Sequence, residues 1–163
     1  MGTSNVDFRG QSFWTRDSVV SVVLALLVAE LDPVTTSEPE LDALLNRWAL
    51  NAALCVTGAV DAALDDYATN DHVVELIRAA IPPIEGRLAN DDALVEVTDP
   101  AFLRRAAAVG MAEPIDAPAA LAPWVHEVLA ALDQLLTGQL PEVRGGYWWV
   151  DDNGLRLTLG RDS

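Results

Sequence analysis

Residues 147–159 read YWWVDDNGLRLTL, and the way they fold decides whether the chain is purely helical or closes on a sheet. Tyr147-Trp148-Trp149-Val150 and Leu155-Arg156-Leu157-Thr158-Leu159 flank Asp151-Asp152-Asn153-Gly154. Asn-Gly suits the positive-φ positions of a type I′ turn, whose twist matches that of paired strands. With Asn153 and Gly154 as the loop, Asp152 faces Leu155, Val150 faces Leu157 and Trp148 faces Leu159. One face then holds Trp148, Val150, Leu155, Leu157 and Leu159, and the other Tyr147, Trp149, Asp151, Arg156 and Thr158. Asp151 falls opposite Arg156, a favourable cross-strand pair. A lone hairpin is marginal in water, so the apolar face is expected to pack on helices.

The rest of the chain reads as helix. Residues 1–14 look irregular, with Phe8, Phe13 and Trp14 as tethers to the body. A first helix starts near Thr15 or Asp17 and runs through Val19, Val23, Leu27 and Leu31, apolar on all faces and therefore buried. Its β-branched start also permits a buried strand, but its length favours helix, and Asp32-Pro33 ends it. Ser37-Glu38-Pro39-Glu40 has capping-box spacing ahead of Leu41, Leu44, Leu45, Trp48, Ala52 and Cys55, a helix that could extend past Gly58 to Leu64. Asn70 or Asp71 caps a further helix that Pro82-Pro83 stops. Leu94–Val97 could be a short strand, Pro100 opens a helix ended by Gly110, and a last helix covers about 119–136, ended by Gly138. The expected fold is mainly α, a bundle of about five helices in one domain over 1–163 with a C-terminal β-hairpin and room for a third short strand.

Composition sets the limits of function. Of 163 residues, 51% are apolar and 21% charged, a globular composition with apolar surface to spare for a docking face or a homo-oligomer. The charged residues comprise 25 acids against 10 arginines with no lysine, a net charge of −15. Such a balance opposes nucleic-acid binding, which needs clustered cations, and favours basic partners, although coding bias or a halophilic host would produce it too. The N-terminus lacks the basic-then-apolar order of an export signal. The longest apolar run, Val22 to Ala29, is short of the ~20 residues that span a bilayer, so a cytoplasmic, membrane-free protein is expected. Cys55, the lone cysteine, sits among apolar residues and reads as a small buried hydrophobe.

No catalytic pattern is complete. His126-Glu127 begins like a zinc-protease helix, but Ala130 stands where the second histidine belongs. Neither His72 nor His126 follows a glutamate at the spacing of a di-iron bundle; Thr69 and Pro123 occupy those places. Asp65-Asp66 resembles the start of the Asp-rich magnesium motif of isoprenoid enzymes, but Thr69 replaces its last acid. There is no nucleophile elbow and no glycine-rich phosphate loop. No cofactor and no metal are expected. The favoured reading is an acidic protein-interaction or regulatory domain (adaptor, inhibitor or immunity/antitoxin-like). Its partner would be a protein of basic charge, met by Tyr147, Trp149, Asp151 and Arg156 on the second hairpin face. A helical small-ligand binder and a carboxylate enzyme gathering Asp65, Asp66, Asp71 and His72 remain as alternatives.

Overall fold

The computed structural model describes residues 2–90, 96–97, 100–108, 110–111, 113, 115–116, 121–140, 150–151, 154–155 and 158–160. Two strands open it. β1 (Thr3–Phe8) and β2 (Gln11–Arg16) pair antiparallel from Thr3↔Arg16 to Phe8↔Gln11. The residues left between them, Arg9 (φ 49°) and Gly10 (φ 76°), both have positive φ, which is the type I′ turn. The organising hairpin is therefore at the N-terminus and not at the C-terminus, and residues 1–14 are not an irregular arm. The physical reason is a period of two: Val6 and Phe8 on β1 and Phe13 and Thr15 on β2 point inward, all at most 4% exposed.

The mainly helical character holds. α1 (Asp17–Leu31) is apolar all round because it runs through the centre of the bundle. Four helices pack on it: α2 (Pro39–Leu54), α4 (Asp71–Asn90), α5 (Pro100–Ala107) and α6 (Ala122–Leu136). The one-turn α3 (Leu64–Tyr67) lies against β1 and α2. The stretch Asp17–Thr35 is long and apolar enough to cross a membrane by length and composition; here it is the buried core helix and the turn after it. Trp48 on α2 is fully buried, and its indole N–H donates to the carbonyl of Ala62 at 2.6 Å.

Several helix ends differ from the sequence reading. The capping box at Ser37 does not form; Glu40 accepts instead from the Thr69 hydroxyl (3.0 Å) and the Asn70 amide (2.7 Å). α2 stops at Leu54, where Cys55 turns left-handed with φ 41°, so it does not reach Leu64. Asn70 does cap α4, its side-chain oxygen accepting from Val73 N at 2.9 Å. Pro82-Pro83 does not stop that helix. Both prolines face solvent, where the carbonyls they free can bond water, while Ile77, Ile81, Ile84 and Leu88 keep an unbroken buried stripe. α5 ends as expected: Gly110 (φ 81°) donates to Ala107 and Met111 donates to Ala106. The same pair of bonds ends α6, from Gly138 to Leu135 and from Gln139 to Gln134.

Near the C-terminus, β5 (Val150–Asp151) pairs with β6 (Gly154–Leu155), after β3 (Glu96–Val97) has paired with β4 (Ile115–Asp116). β7 (Thr158–Gly160) joins β2, giving the strand order β1-β2-β7. The β5–β6 register is Val150↔Leu155 and Asp151↔Gly154. Asp152 and Asn153 therefore lie between the paired residues, and Asp151 faces Gly154 rather than Arg156.

Candidate functional site

The hairpin is held from below, and on its upper face Trp14 is exposed while Ser12 is buried. Its inner residues Val6 and Phe13 pack on Val20 and Leu24 of α1, Trp48 of α2 and Val128 and Leu132 of α6. The gap among these side chains is about 10 Å³, room for a single water and too small for an organic ligand. A buried polar knot fixes the strand to α1. The Asp17 carboxylate accepts from the Ser4 hydroxyl (2.5 Å) and from Gly58 N (2.9 Å). Ser4 Oγ accepts in turn from Val60 N at 2.9 Å, and Asp17 N donates to the Gly2 carbonyl at 3.2 Å. Pairing every member of this knot removes the desolvation cost a buried carboxylate would otherwise carry.

The outer face carries Thr3, Asn5 and Asp7 from β1 beside Ser12, Trp14 and Arg16 from β2. Trp14 is 38% exposed in the middle strand, directly across from Asn5 and diagonal to Asp7. Arg16 turns its guanidinium over the Trp124 ring, 5.8 Å from the centroid. Asn5 Oδ1 is shielded from solvent and has no hydrogen-bond donor.

The β1 edge of this face is acidic. The Asp7 carboxyl is held above its ordinary value, first by burial and then by the charges of Asp65, Asp61 and Asp66. Arg9 offsets part of that charge: its backbone N–H donates to Asp65 (2.8 Å), and its guanidinium donates to Asp71 (3.1 Å). Arg47 pairs with Asp61 at 3.5 Å.

A second charged cluster is fully matched. Arg105 on α5, with its side chain 10% exposed, donates to Asp32 (2.8 Å), Asp42 (2.7 Å) and Asn46 (2.7 Å), and Arg104 donates to Asp32 (2.6 Å). Burial pushes the Asp32 carboxyl up, but hydrogen bonds from Arg105 and Arg104 and their charges outweigh it and hold it below its ordinary value. Burial likewise pulls Arg105 down, and the bonds to Asp42 and Asp32 outweigh it and raise its value. This clasp ties α5 to the α1–α2 turn and is structural.

Of the residues expected to meet a partner, Tyr147, Trp149 and Arg156 lie outside the described residues, and Asp151 is placed by its backbone alone, opposite Gly154. Three of the four groups of the enzyme alternative are engaged by different partners. Asp65 and Asp71 both bind Arg9, whereas His72 Nε2 sits 3.1 Å from Glu38 Oε1. Among the described residues no group of three or more His, Cys, Asp or Glu side chains is placed to hold a metal ion. Cys55 is half-buried at the end of α2. The sequence reading takes Trp14 only as a tether of the N-terminal arm and does not single out Asp7. The signal that finds them is the alternation on either side of Arg9-Gly10, which puts both on the face opposite Val6 and Phe13. No protein-family model, curated protein or solved structure matches this chain.

Proposed function

We propose that the chain is an acidic protein-interaction domain, of the adaptor, inhibitor or immunity-protein type, that docks a basic partner on the outer face of its N-terminal sheet. One observation carries the reading: Trp14 stands exposed at the centre of that face, with Asp7, Asp61, Asp65 and Asp66 along its β1 edge. A large aromatic in a charged rim is the composition of binding hot spots. The net charge of −15 adds long-range attraction for a cationic protein. The gap under the hairpin, about 10 Å³, offers the small-ligand alternative no site there. The carboxylate-enzyme alternative loses support because Asp65 and Asp71 each bind Arg9 and His72 sits against Glu38.

The test is capture of partners from the native host on immobilised wild type, Trp14→Ala, and the triple variant Asp7→Asn, Asp65→Asn, Asp66→Asn. A basic protein retained by wild type, released by rising salt and lost from both variants is the expected result. A partner retained equally by all of them would move the docking surface elsewhere.

A further inference from the structure

We propose that the recognition element of the basic partner is an arginine side chain laid flat on Trp14, with its guanidinium N–H groups directed to Asn5 and Asp7; this rests on the docking reading above. The negative face of an indole attracts a cation, and Trp14 is 38% exposed in the middle strand of the sheet. The chain already uses this contact internally: Arg9 lies over Phe8 at 4.7 Å and Arg16 over Trp124 at 5.8 Å. Among the described residues Trp14 has no such cation of its own.

The neighbours of Trp14 select a guanidinium over an ammonium. Asn5, directly across the strand pair, has a side-chain carbonyl without a donor, and a swing of its amide would present that carbonyl beside the indole. Asp7, on the diagonal, supplies a carboxylate whose proton affinity is raised first by burial and then by Asp65, Asp61 and Asp66, and an incoming positive charge relieves the repulsion among these acids. A guanidinium is a rigid plane with five donors. It can stack on the ring and reach both acceptors in its own plane at once. A lysine ammonium is a compact, strongly hydrated point charge that gains less from the ring and cannot bridge two acceptors in that geometry. An apolar segment would bury carboxylates without pairing them.

The experiment titrates the full chain by calorimetry, at low salt, with capped peptides that alternate glycine with arginine, with lysine, or with citrulline. The indole N–H of Trp14 is followed by NMR and assigned from Trp14→Phe. The arginine peptide should bind with a shift of that N–H, about fivefold or more tighter than the lysine peptide, and the uncharged citrulline peptide should not bind. Trp14→Leu should weaken the arginine peptide about fivefold to thirtyfold and leave the lysine peptide nearly unchanged. Because the arginine-to-lysine preference is read on wild type, a poorly folded variant cannot imitate it. Equal binding of the two cationic peptides, weakened by Asp7→Asn and untouched by Trp14→Leu, would overturn the arginine proposal and leave the basic-partner reading standing. No binding of any peptide at millimolar concentration would overturn both. Self-association abolished by Trp14→Leu would make a second copy of the chain the occupant and overturn the arginine proposal.

Discussion

The two ends of this chain both form antiparallel pairs, and the contrast between them shows what fixes a hairpin. The C-terminal stretch has the stronger local signal, Asn153-Gly154 between two aromatic and branched runs, yet its described ladder is β5 with β6, with Gly154 inside the pairing. The N-terminal stretch has an unremarkable Arg9-Gly10, yet it makes the type I′ turn and a six-pair ladder. Arg9 accepts a positive φ because the rest of the hairpin repays the strain. Val6, Phe8 and Phe13 enter the core, and Asp65 receives the Arg9 N–H. Turn chemistry proposes a register, whereas burial of alternate side chains decides it.

The largest way to break that conclusion is to empty the inner face. Phe13 is 1% exposed between α1 and α6, so Phe13→Ala should cost about 3–5 kcal/mol in denaturant unfolding, enough to threaten the whole fold. A loss below about 1 kcal/mol would mean that the hairpin rests on its turn and not on its core contacts.

A middle-sized test compares the two glycines. Gly10 sits at φ 76° with open space around it, so only the backbone penalises a side chain there. Gly10→Val should cost about 1–2 kcal/mol from the left-handed conformation alone. Gly154 lies opposite Asp151 in a ladder, where a β-branched residue is favoured, so Gly154→Val should cost less than half as much. If Gly154→Val proves the costlier, Gly154 is a turn residue and the Asn153-Gly154 register is the true one.

What the sequence made legible follows the same division. α1 from Asp17 to Leu31, the Asn70 cap, Trp48 in the core and the glycine terminators at 110 and 138 are all local signals with one physical meaning. The N-terminal hairpin is hard to read because Arg9-Gly10 is a poor turn signature and the alternation is blurred: polar Ser4 and Thr15 are buried while Trp14 lies on the outer face. Pro82-Pro83 misled in the opposite sense: a strong local stop is overridden by a buried stripe from Ile77 to Leu88. The acidic half of the candidate site was visible as Asp65 and Asp66. Its aromatic centre was not, since the exposure of Trp14 depends on which way β2 faces.

A smaller effect should come from Trp14, the neighbour of Phe13 on the opposite face of the same strand. At 38% exposure it contributes less burial, and Trp14→Ala should cost about 1 kcal/mol or less while the fold and far-ultraviolet spectrum stay unchanged. A cost approaching that of Phe13→Ala would show that the outer face is a second core layer and no docking face.

The smallest and most diagnostic effect is the pH dependence of Asp7→Asn, because it asks whether the acidic edge is coupled to the hairpin's stability at all. Asp7 has an ordinary value of 3.8 that burial and Asp65, Asp61 and Asp66 raise in the folded chain. The folded state therefore holds this proton more tightly than the unfolded state, and stability falls as pH rises through the window between 3.8 and the raised folded value. Above that window the ionised Asp7 is a standing cost. Asp32 works in the opposite direction: its folded value lies below 3.8, so its contribution is complete above 3.8 and is lost as pH falls through the folded value. On acidification from neutrality, wild type should first recover the Asp7 cost and only then lose the Asp32 clasp. Asp7→Asn lacks the first step and keeps the second. The variant should be the more stable protein at pH 7, with a margin in Tm that closes as pH falls toward 3.8, and the two should then unfold together in stronger acid. The margin is read from melting curves of both proteins across that range at low salt, and added salt should shrink it, since the repelling acids face water. A margin independent of pH would mean that neither burial nor the neighbouring acids act on Asp7 in the folded chain. A reversed sign would mean that Arg9 holds Asp7 as well as Asp71, and that the edge beside Trp14 is neutralised from within rather than left open for a partner's charge.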